Sequence, residues 1–211
     1  MATTQSTSEF DAADIGSASN VLLLSSSFDS VASDVCSELL TIERPSEEDV
    51  LAVTLTDSPD DWMDEWQRTV GPERPAKTCF VTADDGMRSA AAGAGGTAAA
   101  LPGNMTIHTV STPSDLTGLG MHISEQLSKW QDDGNQIVLD FDSVTTLLEY
   151  AARESVFKFM HVLKGRVDSA DAVAHYHMDP AAHEPQEVST FKSLMDAVVE
   201  VEDGEWTVAS R

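Results

Sequence analysis

Residues 20–24 read NVLLL, and residues 25–40 read SSSFDSVASDVCSELL. A short unbroken apolar run fits a strand buried on both faces, and segment 34–40 fits a helix. A strand, a tight turn and a helix is the setting of a phosphate-binding loop of the form G-x-x-x-x-G-K-[ST]. In this frame the loop would start at Ser25, with its second glycine position at Ser30, its lysine position at Val31 and its hydroxyl position at Ala32. None of the four required residues is present. Glycines let backbone N–H groups wrap the phosphates, the lysine neutralises them and the hydroxyl holds magnesium, so the physical basis of the site is gone. An ordinary strand-turn-helix and an emptied phosphate site both fit these residues.

Working outward, strand and helix signals alternate. Strands are expected at 50–56, 77–82, 105–111, 136–141 and 172–178, and helices at 60–70, 115–130, 144–152, 154–167 and 187–198. Asp115 is placed to cap its helix. The closing run VVEVEDGEWTVAS reads as a hairpin turning at Asp203-Gly204. Apolar strands alternating with helices predict a mostly parallel central sheet covered on both faces, a three-layer α/β/α domain with a C-terminal hairpin. Residues 1–18, rich in Ser, Thr, Ala and Asp, are expected to be a disordered tail, leaving 19–211 as one domain. Residues 84–104 (DDGMRSAAAGAGGTAAALPGN) offer almost nothing to pack and are expected to be disordered or loosely helical.

The central acidic strand carries the next clue. QIVLDFDSVTTLLEY (136–150) is an apolar strand ending in Asp140 and Asp142, followed by Ser143 and a helix. The two acids alternate about Phe141, so both face one side at the carboxyl end of the strand, where open α/β sheets place ligands. With no cation nearby, Ser143 and backbone donors near 25–27 are expected to hydrogen-bond them. Together with DLTGLGMHISEQL, VFKFMHVLKGRV and AHYHMDPAAH, this run resembles the RecA/KaiC-like ATPase superfamily. More narrowly, it resembles a haloarchaeal family of uncharacterised KaiC-like proteins lacking the phosphate loop. The resemblance spans residues 19–202 and implies a degenerate RecA-like domain in which Asp142 and Ser143 are the magnesium-directed Asp-Ser pair. Ser25, Ser30, Val31, Ala32, Asp142 and Ser143 then form a vestigial nucleotide site. It further implies side-by-side association with itself or with an active KaiC-like relative.

A second candidate lies at the end of the strand 172–178. His175, His177 and Asp179 alternate onto one face, and His183 follows four residues later. The run resembles the H-x-H-x-D-H pattern of metallo-β-lactamase-like hydrolases, but Pro180 replaces the last histidine. No remote ligand is evident, since His108, His122 and His161 fall within predicted sheet or helix. A structural role is therefore expected, with no metal or other cofactor. If a metal were held, the candidates are His175, His177, Asp179 and His183. Trp62 and Trp66, spaced i and i+4 on a helix, form a stripe facing the core or a partner. Cys36 and Cys79 are expected as buried free thiols, and no G-x-S-x-G elbow supplies a nucleophile.

Charge bounds the environment. The chain carries 12 Lys and Arg against 36 Asp and Glu, a formal charge of −24 over 211 residues. Such a surface repels itself in dilute buffer, whereas near molar salt the Debye length falls to roughly 3 Å and screens the repulsion. The cytoplasm of a salt-accumulating cell is the expected setting. Direct nucleic-acid binding through phosphate neutralisation is disfavoured, and no apolar run approaches a membrane span. The expected function is that of a non-catalytic regulatory or assembly protein acting through a protein partner. The alternatives are a metal-dependent hydrolase built on His175, His177 and Asp179, or a small-ligand sensor using the emptied cleft.

Overall fold

The computed structural model describes residues 2–6, 10–26, 30–83 and 104–210. The alanine- and glycine-rich segment 84–104, apart from its last residue, and residues 27–29 lie outside the described residues. In chain order the elements are β1 (Ala2–Ser6), β2 (Asn20–Leu24), α1 (Ser30–Leu40), β3 (Glu48–Thr54), α2 (Pro59–Thr69), β4 (Lys77–Ala83) and β5 (Met105–Val110). They continue with α3 (Leu116–Trp130), β6 (Gln136–Asp142), α4 (Val144–Tyr150), α5 (Arg153–Ser169), β7 (Val173–Met178), α6 (Pro185–Lys192), β8 (Ala197–Glu202) and β9 (Glu205–Ser210).

Among the described residues the strands form one nine-stranded sheet in the order β1-β9-β8-β2-β7-β6-β3-β4-β5. From β8 to β5 every pairing is parallel, while β9 runs antiparallel to both β8 and β1. Successive side chains of a strand point to opposite faces, and the sequence uses both. Ile137, Leu139 and Phe141 of β6, with Ala174 and Tyr176 of β7, pack among α3, α4, α5 and α6. On the opposite face Val21 and Leu23 meet Val35 and Leu39 of α1, and Val50, Ala52 and Val138 meet Trp62 and Trp66 of α2. The result is the expected three-layer α/β/α domain. Its C-terminal hairpin turns at Asp203 and Gly204, whose φ of 53° and 78° suit a two-residue turn of the I′ kind.

Helix starts follow local chemistry. Ser58 and Asp61 form a reciprocal capping box at α2, and Asp115 and Ser143 accept backbone N–H bonds at the starts of α3 and α4. Three expectations change. The segment expected as a disordered tail adds β1 to β9 through backbone pairing, and Phe10 and Ile15 are buried beside Trp206 and Val208. The strand expected from 50 begins two residues earlier, with Glu48 and Asp49 both buried. The helix expected over 187–198 ends at Lys192, because β2 claims Ala197 and Val198 for the sheet through pairing with Val21 and Leu22.

Candidate functional site

Four ligand-bearing side chains converge beneath the carboxyl ends of β6 and β7. The register sets Asp140 opposite His175, so both project to the α1/α2 face, and His177 follows two residues later on that face. From above, α1 lowers Cys36 onto them. Cys36 Sγ lies 3.7 Å from His175 Nε2 and 3.6 Å from His177 Nε2. Asp140 Oδ1 lies 3.0 Å from His175 Nε2 and 3.5 Å from His177 Nε2. One ligand atom from each of the four residues falls within 4.8 Å of every other. Asp140 Oδ2 is fixed separately, by a 2.7 Å hydrogen bond donated by Trp62 Nε1 of α2.

The electrostatics are those of a tightly coupled buried group. Burial alone would raise Asp140, but the adjoining His175 and His177 outweigh it and hold the carboxyl well below its usual range. Burial would lower His175, yet Asp140 and Cys36 push it up to about 9. His177 is also raised against burial, by Cys36 and Asp140. Burial opposes ionisation of Cys36, and the two imidazoles reverse that, lowering the thiol. Asp140 Oδ1 sits close to His175 without hydrogen-bond alignment and is buried with no hydrogen-bond partner, as is His175 Nδ1. That oxygen is compensated by the charge of the adjoining imidazoles and not by an aligned hydrogen bond, and a cation held between the same groups would take over that role.

The residues singled out in the sequence divide between this cluster and other duties. His175 and His177 are in it, but Asp179 and His183 are not. Asp179 caps a short 3-10 turn by accepting from Ala181 N, and His183 contacts Glu187 at 3.2 Å and Thr145 at 3.1 Å. Pro180 opens that 3-10 turn and carries the chain away from the β7 face. Ser143 does not hold the two acids as expected, because its hydroxyl accepts from Thr146 N at the start of α4. The Trp62/Trp66 stripe faces the core, with both rings largely buried and stacked 5.4 Å apart and Trp62 bonded to Asp140, and the two side chains also contribute to the wall of the neighbouring cleft. His108 and His122 stack on each other at 4.6 Å, between β5 and α3. Neither Cys36 nor Asp140 was placed with the histidines by spacing, since the four residues come from three elements.

Around the cluster runs a cleft of about 760 Å³, which Ser25, Ala32, Asp142, Ser143 and His177 help to line. Of the four positions at which a phosphate loop was sought, Ser25 and Ala32 line the cleft, while Ser30 and Val31 open α1 and Val31 packs against the core. The rim is acidic, with Asp57, Asp61, Glu65, Asp142, Glu149 and Asp179. Arg68, the only Lys or Arg among the described lining residues, is paired at 2.5 Å with Glu65. Burial raises Asp142, and the negative charges of Asp140 and Asp57 add to that against the pull of His177. The cleft can accept hydrogen bonds and cations far better than it can accept phosphates.

Comparison with known proteins gives a family and a fold. The profile of a family of unknown function, DUF7504, matches residues 18–201. Among solved structures the chain is similar to an uncharacterized protein from Pyrococcus horikoshii, crystallised in complex with an unknown peptide. The identity is 11% and the TM-score 0.55, over 90% of this chain and 82% of that one, which is a likeness of fold alone. No curated protein matches. Among the described residues no helix is long and apolar enough to cross a membrane.

Proposed function

This chain belongs to that family of unknown function, DUF7504, and we propose that it is a non-catalytic RecA/KaiC-like protein that acts by binding a protein segment. The observation that carries the reading is the charge of the cleft. Nucleotide binding needs cations and backbone donors aimed at phosphates, and this cleft has an acidic rim with Arg68 already paired to Glu65. The position of a phosphate-loop lysine is held by Val31, which packs into the core. Asp142 remains at the end of β6 without its phosphate-binding counterpart, consistent with a site whose first ligand has been lost.

A wide, open, acidic cleft suits an extended segment carrying basic or hydrogen-bond-donating groups. The unknown peptide held by the Pyrococcus horikoshii protein is compatible with such an occupant. In the molar salt that the charge of −24 implies, long-range attraction is screened and only groups in contact contribute. The partner is a second copy of the chain, a KaiC-like relative or another protein with such a segment.

Calorimetric titration with magnesium-ATP in molar potassium chloride tests the first half, and no heat of binding is expected. A dissociation constant in the micromolar range would overturn it. For the second half, affinity capture at native salt is run side by side with the parent and with Asp57→Lys/Glu149→Lys. A partner held by the parent, released by the variant and reconstituted from purified components supports the reading. Identical capture by both chains would reject the cleft as the binding site.

A further inference from the structure

We infer that Cys36, Asp140, His175 and His177 form a tetrahedral site for a divalent transition metal, zinc by the chemistry of its donors. The inference rests on the geometry of the four side chains and is independent of the partner-binding reading. Zinc takes sulfur at about 2.3 Å, imidazole nitrogen at about 2.0–2.1 Å and carboxylate oxygen at about 2.0–2.2 Å. A tetrahedron with those arms has edges of roughly 3.3–3.6 Å. The edges found between these donors are 3.0 and 3.5 Å from Asp140 to the imidazoles and 3.6 and 3.7 Å from Cys36 to them. Three of these edges match the spacing of one coordination shell to about 0.1 Å and the 3.0 Å edge is shorter; the two remaining edges, Cys36 to Asp140 and His175 to His177, lie within 4.8 Å, so a small inward shift of the four donors closes the shell.

Two further observations point to a ligand. Asp140 is 4% exposed, and its Oδ1, the oxygen turned toward the imidazoles, has no hydrogen-bond partner. The other oxygen is anchored by Trp62 Nε1, the kind of outer contact that orients a carboxylate for coordination. A mixed sulfur, imidazole and carboxylate set matches zinc and does not match calcium or magnesium, which take oxygen ligands. An entry path exists, because Cys36, Asp140 and His177 all line the cleft.

Four protein donors fill a tetrahedral shell and leave no position for water or substrate. The centre therefore clamps α1 to β6 and β7 across the floor of the cleft and does not activate water, which separates it from hydrolase chemistry. The metal takes Cys36 as thiolate and His175 and His177 as neutral imidazoles, so whatever protons these three groups carry in the metal-free protein are released to solvent as the metal enters.

Protein produced without a histidine tag and purified in molar potassium chloride is expected to carry about one zinc per chain by mass spectrometry. Replacing zinc with cobalt chloride should give the intense visible bands of tetrahedral cobalt together with a near-ultraviolet thiolate-to-cobalt band. In Cys36→Ser the thiolate band should vanish and affinity should fall at least about 100-fold, since loss of an outer contact alone costs 10–100-fold. Cys79→Ser, whose thiol is buried within β4, should retain both. His177→Ala should also lose affinity, and a folded circular dichroism spectrum would separate that loss from misfolding. No bound zinc or cobalt after incubation with a molar excess of either, or a cobalt spectrum unchanged by Cys36→Ser, would overturn the inference.

Discussion

Trp62 Nε1 donates a 2.7 Å hydrogen bond to Asp140 Oδ2, so a helix on one face of the sheet holds a buried carboxylate on its central strand. The ring also meets Phe80 edge-on at 5.4 Å and stacks on Trp66. Its packing and its donor therefore do separate jobs. Trp62→Phe keeps much of the aromatic contact but removes the only donor to that oxygen among the described residues. A hydrogen bond to a buried charge is worth about 1.5–3 kcal/mol, so a loss of at least that size is expected in molar-salt denaturation. Trp66→Phe removes a neutral bond to the Glu73 carbonyl and should cost less. Equal costs for the two variants would show that Asp140 does not depend on Trp62.

Glu48 gives the chain a pH signature away from the cleft. Its side chain is buried at the start of β3, accepting from Glu43 N at 2.6 Å through one oxygen while the other has no partner. Burial raises its carboxyl from 4.5 to about 7, against the pull of the backbone donors at Glu43 and Ile42. The folded state thus holds its proton more tightly than the unfolded state, and stability falls as pH rises from about 4.5 to about 7. The accumulated loss is on the order of 3 kcal/mol. Glu48→Gln is expected to match the parent near pH 4.5 and to exceed it near pH 8. Thermal melts at both pH values check this, and a gap of the same size at both would remove Glu48 as the cause.

The architecture was legible where burial and local chemistry agreed. NVLLL and QIVLDF announce central strands because parallel strands are buried on both faces, and Asp203-Gly204 announces its turn because both residues take positive φ. β1 was hidden because ATTQS pairs with β9 through its backbone, which composition does not report. Glu48 and Asp49 look like loop residues, and only the fold supplies Lys77 and Asn135 to hold Asp49. The site was half legible. The alternating histidines mark a face of β7, but their partners depend on β6 lying beside β7 and on α1 crossing above them. Strand order carries that information, and no spacing in the chain encodes it. The position of Asp140 on the acidic strand was the one local signal that could have joined the two candidates.

Salt should act on the whole molecule. With 36 acids against 12 basic residues, repulsion acts over about 10 Å at 0.1 M salt and only about 3 Å at 1 M. The ion pairs at Arg44, Arg68 and Lys192 lie on the surface and contribute little to offset it. Dialysis from molar to about 0.1 M potassium chloride is expected to lower Tm by several degrees, about 2–4 °C for each kcal/mol lost. Circular dichroism melts read it directly. An unchanged Tm would reject a molar-salt environment as the condition for which this surface is suited.

Asp142 tests whether the acid at the end of β6 is a working part of the cleft. It follows Asp140 by two positions on the same face, lines the cleft and has Asp57 nearby, so its charge adds to an already negative rim. It is not one of the four converging donors, and its backbone carbonyl, which accepts from Leu55 N at 3.0 Å, is untouched by a side-chain change. Asp142→Asn preserves shape and removes one charge. The expected outcome is unchanged or slightly higher stability, by up to about 1 kcal/mol, with zinc content equal to that of the parent. Thermal shift and metal analysis on both proteins provide the check. If the variant loses zinc, or if a divalent ion stabilises the parent and not the variant, Asp142 is a ligand and the four-donor shell is wrong. If both proteins respond alike, the acid at the end of β6 is inherited architecture, and the chemistry of the cleft resides one turn of the pleat deeper, at Asp140.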